Sequence, residues 1–144
     1  MNAEFPQPGA RVVLTYGTFD LFHIGHLKLI ERLRALGDYL VVAVSTDEFN
    51  RIKGKETVIP FADRSEIVRH VKGVDLVIPE SNWEQKIDDV RRYGVSVFGM
   101  GDDWRGEFDF LKPYCEVVYL PRTENISSTS IRCTLRVAGS KMVA

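Results

Sequence analysis

The sequence predicts a single-domain α/β protein, with a Rossmann-like parallel sheet flanked by helices on both faces. Three observations carry this prediction. Short β-rich runs alternate with longer helical patterns along the chain. The β-rich runs are almost continuous in Val, Ile and Leu, which is typical of strands buried on both faces. The 144 residues suffice for one core and leave little room for a second.

Five runs are predicted to be strands, the third of them short. They are residues 11–16, 39–45, 76–78, 95–100 and 116–120. Parallel strands need crossover connections, and the sequence supplies helical patterns between most of these runs.

The helical patterns cover residues 27–36, 62–71 and 83–93, and a last helix is predicted from about Ser128. In the first of them, four apolar side chains share one face: Leu29, Ile30, Leu33 and Leu36. Gly37 and Gly94 are predicted to stop the helices before them. Residues 46–61 are predicted to form a long loop. The domain is predicted to span residues 11–137, between an N-terminal extension (1–10) and a C-terminal tail (138–144).

Charge and hydropathy exclude two classes of partner. The 19 Lys and Arg against 20 Asp and Glu give a net charge of -1, so nothing in the composition attracts nucleic acid. No apolar run approaches the ~20 residues that cross a bilayer. The first ten residues lack the basic-then-apolar order of a signal peptide. We therefore expect a cytoplasmic protein with no membrane insertion.

In an open parallel sheet, ligands bind beyond the carboxyl ends of the strands. Four segments follow predicted strands there, at residues 17–26, 46–55, 101–104 and 121–130. The first reads GTFDLFHIGH. Its glycines let backbone N–H groups approach a phosphate at a helix N-terminus. His23 and His26 project from nearly the same edge, where they suit phosphoryl oxygens; capping, packing and a metal site are the alternatives. Asp20 is predicted to be a local cap.

The other segments also carry phosphate-binding chemistry. Arg122 is followed by hydroxyl groups at a predicted helix start, which suits a triphosphate, although Ser127 or Ser128 is equally suited to a simple N-cap. Lys53 and Lys55 flank a glycine in the long loop. Asp102 and Asp103 could accept hydrogen bonds from a ribose or base, or help to hold Mg²⁺ through water.

The chain resembles the HIGH-motif nucleotidyltransferases, on the segment GTFDLFHIGH. Further segments resemble the bacterial glycerol-3-phosphate cytidylyltransferases within that superfamily: GDYLVVAVSTDEFN, PESNWEQK, MGDDW, FDFLK and CEVVYLPRTENISS. The resemblance runs from about Val12 to Ile131. It implies transfer of a cytidylyl group from CTP to glycerol 3-phosphate, with Mg²⁺ and a homodimeric assembly. Asn125 and Ser128 depart from the family's usual glycine and threonine.

The resemblance also implies residue roles. The catalytic residues would be His23, His26, Lys53 and Arg122. CTP would contact Gly17, Thr18, Phe19, His23, Gly25, His26, Lys55, Asp103, Arg122, Thr123, Ile126, Ser127, Ser128 and Thr129. The acceptor would contact Lys53, Lys55, Arg64, Trp83 and Lys86.

Three alternatives stay open. The same chemistry could use another acceptor, such as ethanolamine phosphate or choline phosphate, or ATP as the donor. The chain could be a non-catalytic module that binds CTP. It could also be a flavin-adenine nucleotide synthetase of the same superfamily.

Overall fold

The computed structural model describes residues 5–121. Its sheet has five strands: β1 (Val12–Gly17), β2 (Tyr39–Ser45), β3 (Leu76–Glu80), β4 (Val95–Gly101) and β5 (Glu116–Leu120). They lie in the order β3-β2-β1-β4-β5, and all four neighbouring pairs are parallel. The chain therefore winds outward from β1 in one direction and then crosses to its other side at β4. This reversal places a crevice at the carboxyl ends of β1 and β4.

Four α-helices accompany these strands within the described residues: α1 (Ile24–Arg34), α2 (Asp47–Ile52), α3 (Phe61–Arg69) and α4 (Gln85–Arg92). Short 3₁₀ turns follow β4 at Asp102–Trp104 and Asp109–Leu111. In this part of the chain no helix has the length and apolar character needed to cross a membrane.

Helix α2 corrects the prediction of a long loop over residues 46–61. The Thr46 side chain accepts a hydrogen bond from the Phe49 amide and caps the helix. Asp47 and Glu48 stand in the first turn, where negative charge favours the helix N-terminus. The helix has only six residues, so its periodicity is too short to detect in the sequence.

Two apolar layers cover the sheet, one on each face. Along β1, Val12, Leu14 and Tyr16 enter one layer, which includes Val90 of α4. The alternate residue Val13 enters the other layer, with Ile30 and Leu33 of α1 and Val68 of α3 among its buried members. This alternation with period two is what a strand buried on both faces requires. The prediction of helices on both faces is confirmed.

Gly37 and Gly94 were both predicted to stop helices, but only Gly94 has the left-handed backbone angle of a helix stop. Gly94 follows α4 with φ +60°, a left-handed angle that glycine adopts without strain. Gly37 lacks such an angle, so the prediction was wrong about its role. A Cβ at Gly37 would lie 2.4 Å from the carbonyl oxygen of Arg11. Gly37 is required by the close approach of two backbone segments.

Candidate active site

A crevice of about 990 Å³ opens at the carboxyl edge of the sheet. Its walls come mainly from the carboxyl ends of the five strands and from the segments that follow them. Ten of the residues that the sequence predicted for the site line this crevice: Gly17, Thr18, Phe19, His23, Gly25, His26, Lys53, Lys55, Trp83 and Asp103. The topology therefore brings residues up to 86 positions apart in the sequence to one place.

The loop between β1 and α1 has an unusual backbone. Phe19 and Leu21 have φ of +54° and +51°, in the left-handed region that side chains other than glycine rarely adopt. Asp20, between them, is buried. Its carboxylate accepts hydrogen bonds from the amides of Val58 and Ile59 at 2.8 and 2.9 Å. Asp20 thus holds the loop and also ties it to the segment before α3, a wider role than the predicted local cap.

The two histidines of this loop are stacked, with ring centroids 3.9 Å apart. His23 is the N-cap of α1, and its Nδ1 accepts from the Gly25 amide at 3.0 Å. The His26 Nδ1 accepts from the His23 amide at 3.2 Å. A backbone N–H can only donate, so each neutral ring must carry its proton on Nε2.

The Nε2 atom of His23 is buried and has no hydrogen-bond partner among residues 5–121. An unpartnered buried donor costs free energy that a bound acceptor would recover. Burial lowers the pKa of His23, which keeps the ring neutral near pH 7. The site therefore presents an oriented N–H donor at a helix N-terminus, which suits an anionic oxygen.

At the end of β3, Lys53 and Lys86 converge on the carboxylate of Glu80. The Lys86 Nζ donates to Glu80 Oε2 at 2.8 Å, and the Lys53 Nζ lies 3.8 Å from Glu80 Oε1. Ser45 donates a short hydrogen bond to the same carboxylate. Burial lowers the pKa of Lys53, and the nearby Glu80 carboxylate opposes that change.

On the other side, the end of β4 contributes polar groups. Asp102, Asp103 and Trp104 line the crevice, and the Lys55 Nζ lies 5.9 Å from the centre of the Trp104 ring. The Arg105 guanidinium pairs with Asp102. Lys55 therefore reaches the β4 side of the crevice, whereas Lys53 belongs to the β2–β3 side.

The chain is similar to known proteins along most of its length. The family model described as cytidylyltransferase-like matches residues 14–134. The chain belongs to the cytidylyltransferase-like family. It is 60% identical to the glycerol-3-phosphate cytidylyltransferase of Bacillus subtilis strain 168 over 120 residues, which cover 83% of this chain and 93% of that protein. It is 57% identical to the protein of the same name from Staphylococcus aureus strain NCTC 8325, covering 83% and 91%.

Among solved structures, the chain is similar to a lipopolysaccharide core biosynthesis protein from Thermoplasma volcanium GSS1. The TM-score is 0.73 at 24% identity, and the match covers 81% of this chain and all of the other. At that identity the likeness shows the fold alone, and it agrees with the α/β class predicted from the sequence.

Two predicted site residues of this cytidylyltransferase-like chain, Arg64 and Lys86, do not line the crevice. Arg64 was expected to contact the acceptor, yet it is 1% exposed and does not line the crevice. Its guanidinium donates to the carbonyl oxygens of Ile59, Thr18 and Ser45 and to Asp47, all at 2.7–2.8 Å. These four hydrogen bonds orient Arg64 toward the protein. Arg64 fastens the ends of β1 and β2 to the segment before α3.

Lys86 also lies behind the crevice wall, where it is 2% exposed and paired with Glu80. Its predicted contact with the acceptor phosphate would require that pair to open. The remaining predicted residues fall outside the described part of the chain: Arg122, Thr123, Ile126, Ser127, Ser128 and Thr129. The predicted helix from about Ser128 lies outside it too.

Sequence reasoning missed Glu80, Ser45 and Tyr16, which all line the crevice. Ser45 and Glu80 end β2 and β3, at the edge where ligands bind. That placement was the available signal, because a carboxylate ending an apolar strand at this edge needs a cation nearby. The prediction overlooked it because β3 was expected to end at residue 78.

Proposed function

We propose that this chain transfers a cytidylyl group from CTP to sn-glycerol 3-phosphate, giving CDP-glycerol and pyrophosphate. The observation that carries the proposal is the oriented His23 Nε2–H, buried in the crevice with no partner among residues 5–121. Relatives that are 57–60% identical and named glycerol-3-phosphate cytidylyltransferase support the donor and the acceptor.

We expect the two substrates to occupy different sides of the crevice. The nucleotide would lie toward β4, beside Lys55 and Asp103, with its phosphates at the N-terminus of α1. The acceptor would lie toward β2 and β3, near Lys53 and Trp83. The α-phosphoryl group would then sit between the two sides, within reach of His23 and His26.

The reaction needs no general base. An oxygen of the acceptor phosphate attacks the α-phosphorus in line, a new P–O bond forms, and the bond to the β-phosphate oxygen breaks as pyrophosphate leaves. A phosphate monoester has a second pKa of about 6, so the attacking oxygen is largely ionised at pH 7. No covalent intermediate with the protein is required.

Catalysis would come from holding two polyanions in line and stabilising the transferring group. The His23 and His26 Nε2–H groups would donate to the α-phosphoryl oxygens. Lys53 would reduce the repulsion between the acceptor phosphate and the triphosphate. Arg122 and the hydroxyl groups at 127–129 stay predicted ligands of the leaving pyrophosphate.

Mg²⁺ stays a prediction, as the partner of the triphosphate. Among residues 5–121 no three His, Cys, Asp or Glu side chains come together as a metal site. Mg²⁺ that is carried on substrate phosphates needs only one or two carboxylates, and Asp102 and Asp103 line the crevice. A cytoplasmic location, a homodimer and a supply of CDP-glycerol to glycerol-phosphate polymers such as teichoic acids also stay predictions.

Pyrophosphate release tests the proposal. CTP and ATP are each combined with glycerol 3-phosphate, ethanolamine phosphate and choline phosphate in the presence of Mg²⁺. We expect turnover only with CTP and glycerol 3-phosphate, and CDP-glycerol as the product.

The other outcomes separate the alternatives. Turnover with another pair would keep the chemistry and overturn the substrates. CTP binding without turnover would favour a nucleotide-binding module. Formation of flavin-adenine dinucleotide from FMN and ATP would favour the flavin-adenine nucleotide synthetase.

A further inference from the structure

The chain leaves strand β5 at the rim of the crevice. Leu120 ends the strand, and both Leu120 and Pro121 line the crevice. In the described part of the chain, β5 lies at the edge of the sheet and pairs with β4. The sheet therefore supports the end of β5 from one side, and support from the other side has to come from a different element.

Helix α1 supplies this support through Arg32. The Arg32 Nη1 donates a hydrogen bond to the carbonyl oxygen of Pro121 at 2.6 Å, across 89 positions of the sequence. Leu29 of the same helix and Leu120 pack against the same apolar layer. Arg32 itself is half-buried and lines the crevice. Because a charged donor makes a stronger hydrogen bond than a neutral one, this contact anchors the end of β5 to α1.

The Pro121 carbonyl also bears on the residue that follows it. A carbonyl group and the next N–H belong to one planar peptide unit, which includes the next Cα. A hydrogen bond to the Pro121 oxygen therefore restrains the plane of the peptide bond between Pro121 and Arg122. The proline ring holds φ of Pro121 at about −65°, so little rotational freedom precedes that plane.

Helix α1 carries the histidine pair at its other end. His23 is the N-cap, and His26 lies in the first turn. His26, Leu29 and Arg32 line the crevice at spacings of three. An α-helix rises about 1.5 Å per residue, so Arg32 lies about 9 Å along the axis from His26. One rigid element thus holds both the donors expected at the α-phosphoryl group and the peptide bond before Arg122.

We propose that Arg32 is a positioning residue, whose hydrogen bond to Pro121 aligns Arg122, the predicted ligand of the leaving pyrophosphate, with the histidine pair. This inference rests on the proposed function and on that predicted role of Arg122. Loss of the Arg32 side chain should weaken the binding of the β- and γ-phosphates. It should leave the binding of a nucleoside monophosphate unchanged.

The test compares the binding of CTP and CMP by isothermal titration calorimetry with Mg²⁺ present. CMP lacks the β- and γ-phosphates, so the ratio of its Kd to the Kd of CTP measures the contribution of those phosphates. Arg32→Met removes the donor and keeps an unbranched stem. We expect it to lower the ratio about tenfold, through weaker binding of CTP. Lys28→Met is the control on the same helix, because Lys28 is 51% exposed and pairs with Glu31, and it should leave the ratio unchanged.

Two further variants at Arg32 keep the test decisive. Arg32→Ala takes the place of Arg32→Met if the latter fails to fold by circular dichroism, since alanine is the best helix former. The same fall in the ratio is expected. Arg32→Lys keeps a charged donor and should bring the ratio to within about threefold of the unaltered protein. An unchanged ratio in folded Arg32→Met or Arg32→Ala overturns the inference.

A double variant separates positioning from direct contact with the phosphates. If Arg32 acts through Arg122, then Arg122→Met alone should lower the ratio at least as much as Arg32→Met does. Adding Arg32→Met to Arg122→Met should then change the ratio by less than about twofold. Losses that multiply would show that Arg32 binds the phosphates itself, and they would overturn the positioning role.

This inference and the proposed function fail in different ways, because the binding ratio needs no turnover. Absence of pyrophosphate release with CTP and glycerol 3-phosphate in the unaltered protein overturns the proposed function. Normal turnover there, combined with an unchanged binding ratio in folded Arg32→Met, overturns only the role of Arg32.

Discussion

His23 lines the crevice and Arg64 lies behind its wall, and the hydrogen-bond donors of these two side chains differ. The His23 Nε2–H has no partner among residues 5–121, while the Arg64 guanidinium makes four hydrogen bonds to the protein. A donor that the fold leaves unsatisfied is free for a ligand, whereas a donor that the fold satisfies holds the walls of the site in place. The count of satisfied donors therefore separates binding residues from positioning residues.

Lys53 stands between these extremes. Its ammonium lines the crevice, and it also donates to Ser45 at 3.2 Å and approaches Glu80. An ammonium group has three donors, so an acceptor phosphate can still take one of them. Lys53 is therefore held in place by Ser45 and Glu80 and can still position a substrate.

The largest expected effect comes from Arg64→Met. The change leaves three backbone carbonyls without their donor and Asp47 without its cation. The free energy of unfolding should fall by about 3–5 kcal/mol, as measured by urea denaturation. Arg69→Met is the control on the same helix, because Arg69 is 52% exposed and pairs only with Glu66 in the described residues. An equal loss of unfolding free energy in both variants would show that the hydrogen bonds of Arg64 do not hold the site in place.

The next effect, from His23→Asn, concerns turnover instead of stability. Asparagine can keep the cap on the Gly25 amide, since its side-chain oxygen accepts as Nδ1 does, but it lacks a donor at the Nε2 position. We expect kcat to fall about 100-fold or more, with a midpoint of thermal unfolding close to that of the unaltered protein. His70→Ala, at a side chain 72% exposed, should change neither quantity. Near-normal turnover in His23→Asn would remove His23 from the mechanism.

A smaller effect is expected at Asp47, whose carboxylate accepts a hydrogen bond from the Arg64 guanidinium. Hydrogen bonds from the Phe61 amide and Arg64 lower the pKa of Asp47. Asp47→Asn should therefore reduce the free energy of unfolding by about 1 kcal/mol at pH 7. We discount the full ion-pair value because this side chain is 29% exposed. Asp88→Asn, at an exposed position of α4, is the control.

The pH dependence of that loss has a defined sign. A carboxyl whose pKa is lowered by folding stabilises fully above its unfolded pKa of about 4, and the contribution disappears as the pH falls through the folded value. The unfolding curves of Asp47→Asn and the unaltered protein should converge at acid pH. A difference that persists at pH 2 would show that the carboxylate charge is not the cause.

The fold was largely predictable because the apolar runs of the sheet are buried on both faces. The strands at Tyr39–Ser45 and Glu116–Leu120 have the predicted bounds. Strand β3 extends two residues further than predicted, through Pro79 and Glu80. Proline lacks an N–H and argues against an interior strand, but β3 lies at the edge of the sheet, where proline is tolerated.

The sequence predicted which loops form the site, but it predicted less well what each side chain does there. The sequence placed His23, His26 and Lys53 at the crevice because the topology of parallel sheets fixes where loops converge. It could not show that Arg64 points inward. The burial of a guanidinium depends on carbonyls at residues 18, 45 and 59, which only tertiary structure brings together.

The buried Asp20 carboxylate links the loop that carries the histidines to the amides of Val58 and Ile59, on the segment that carries the lysines. The two walls of the crevice are thereby held in register before any substrate arrives. The conformational entropy of aligning them is lost when the chain folds, so it no longer opposes association. A crevice pre-organised in this way would set the distance between the acceptor phosphate and the α-phosphate of the nucleotide.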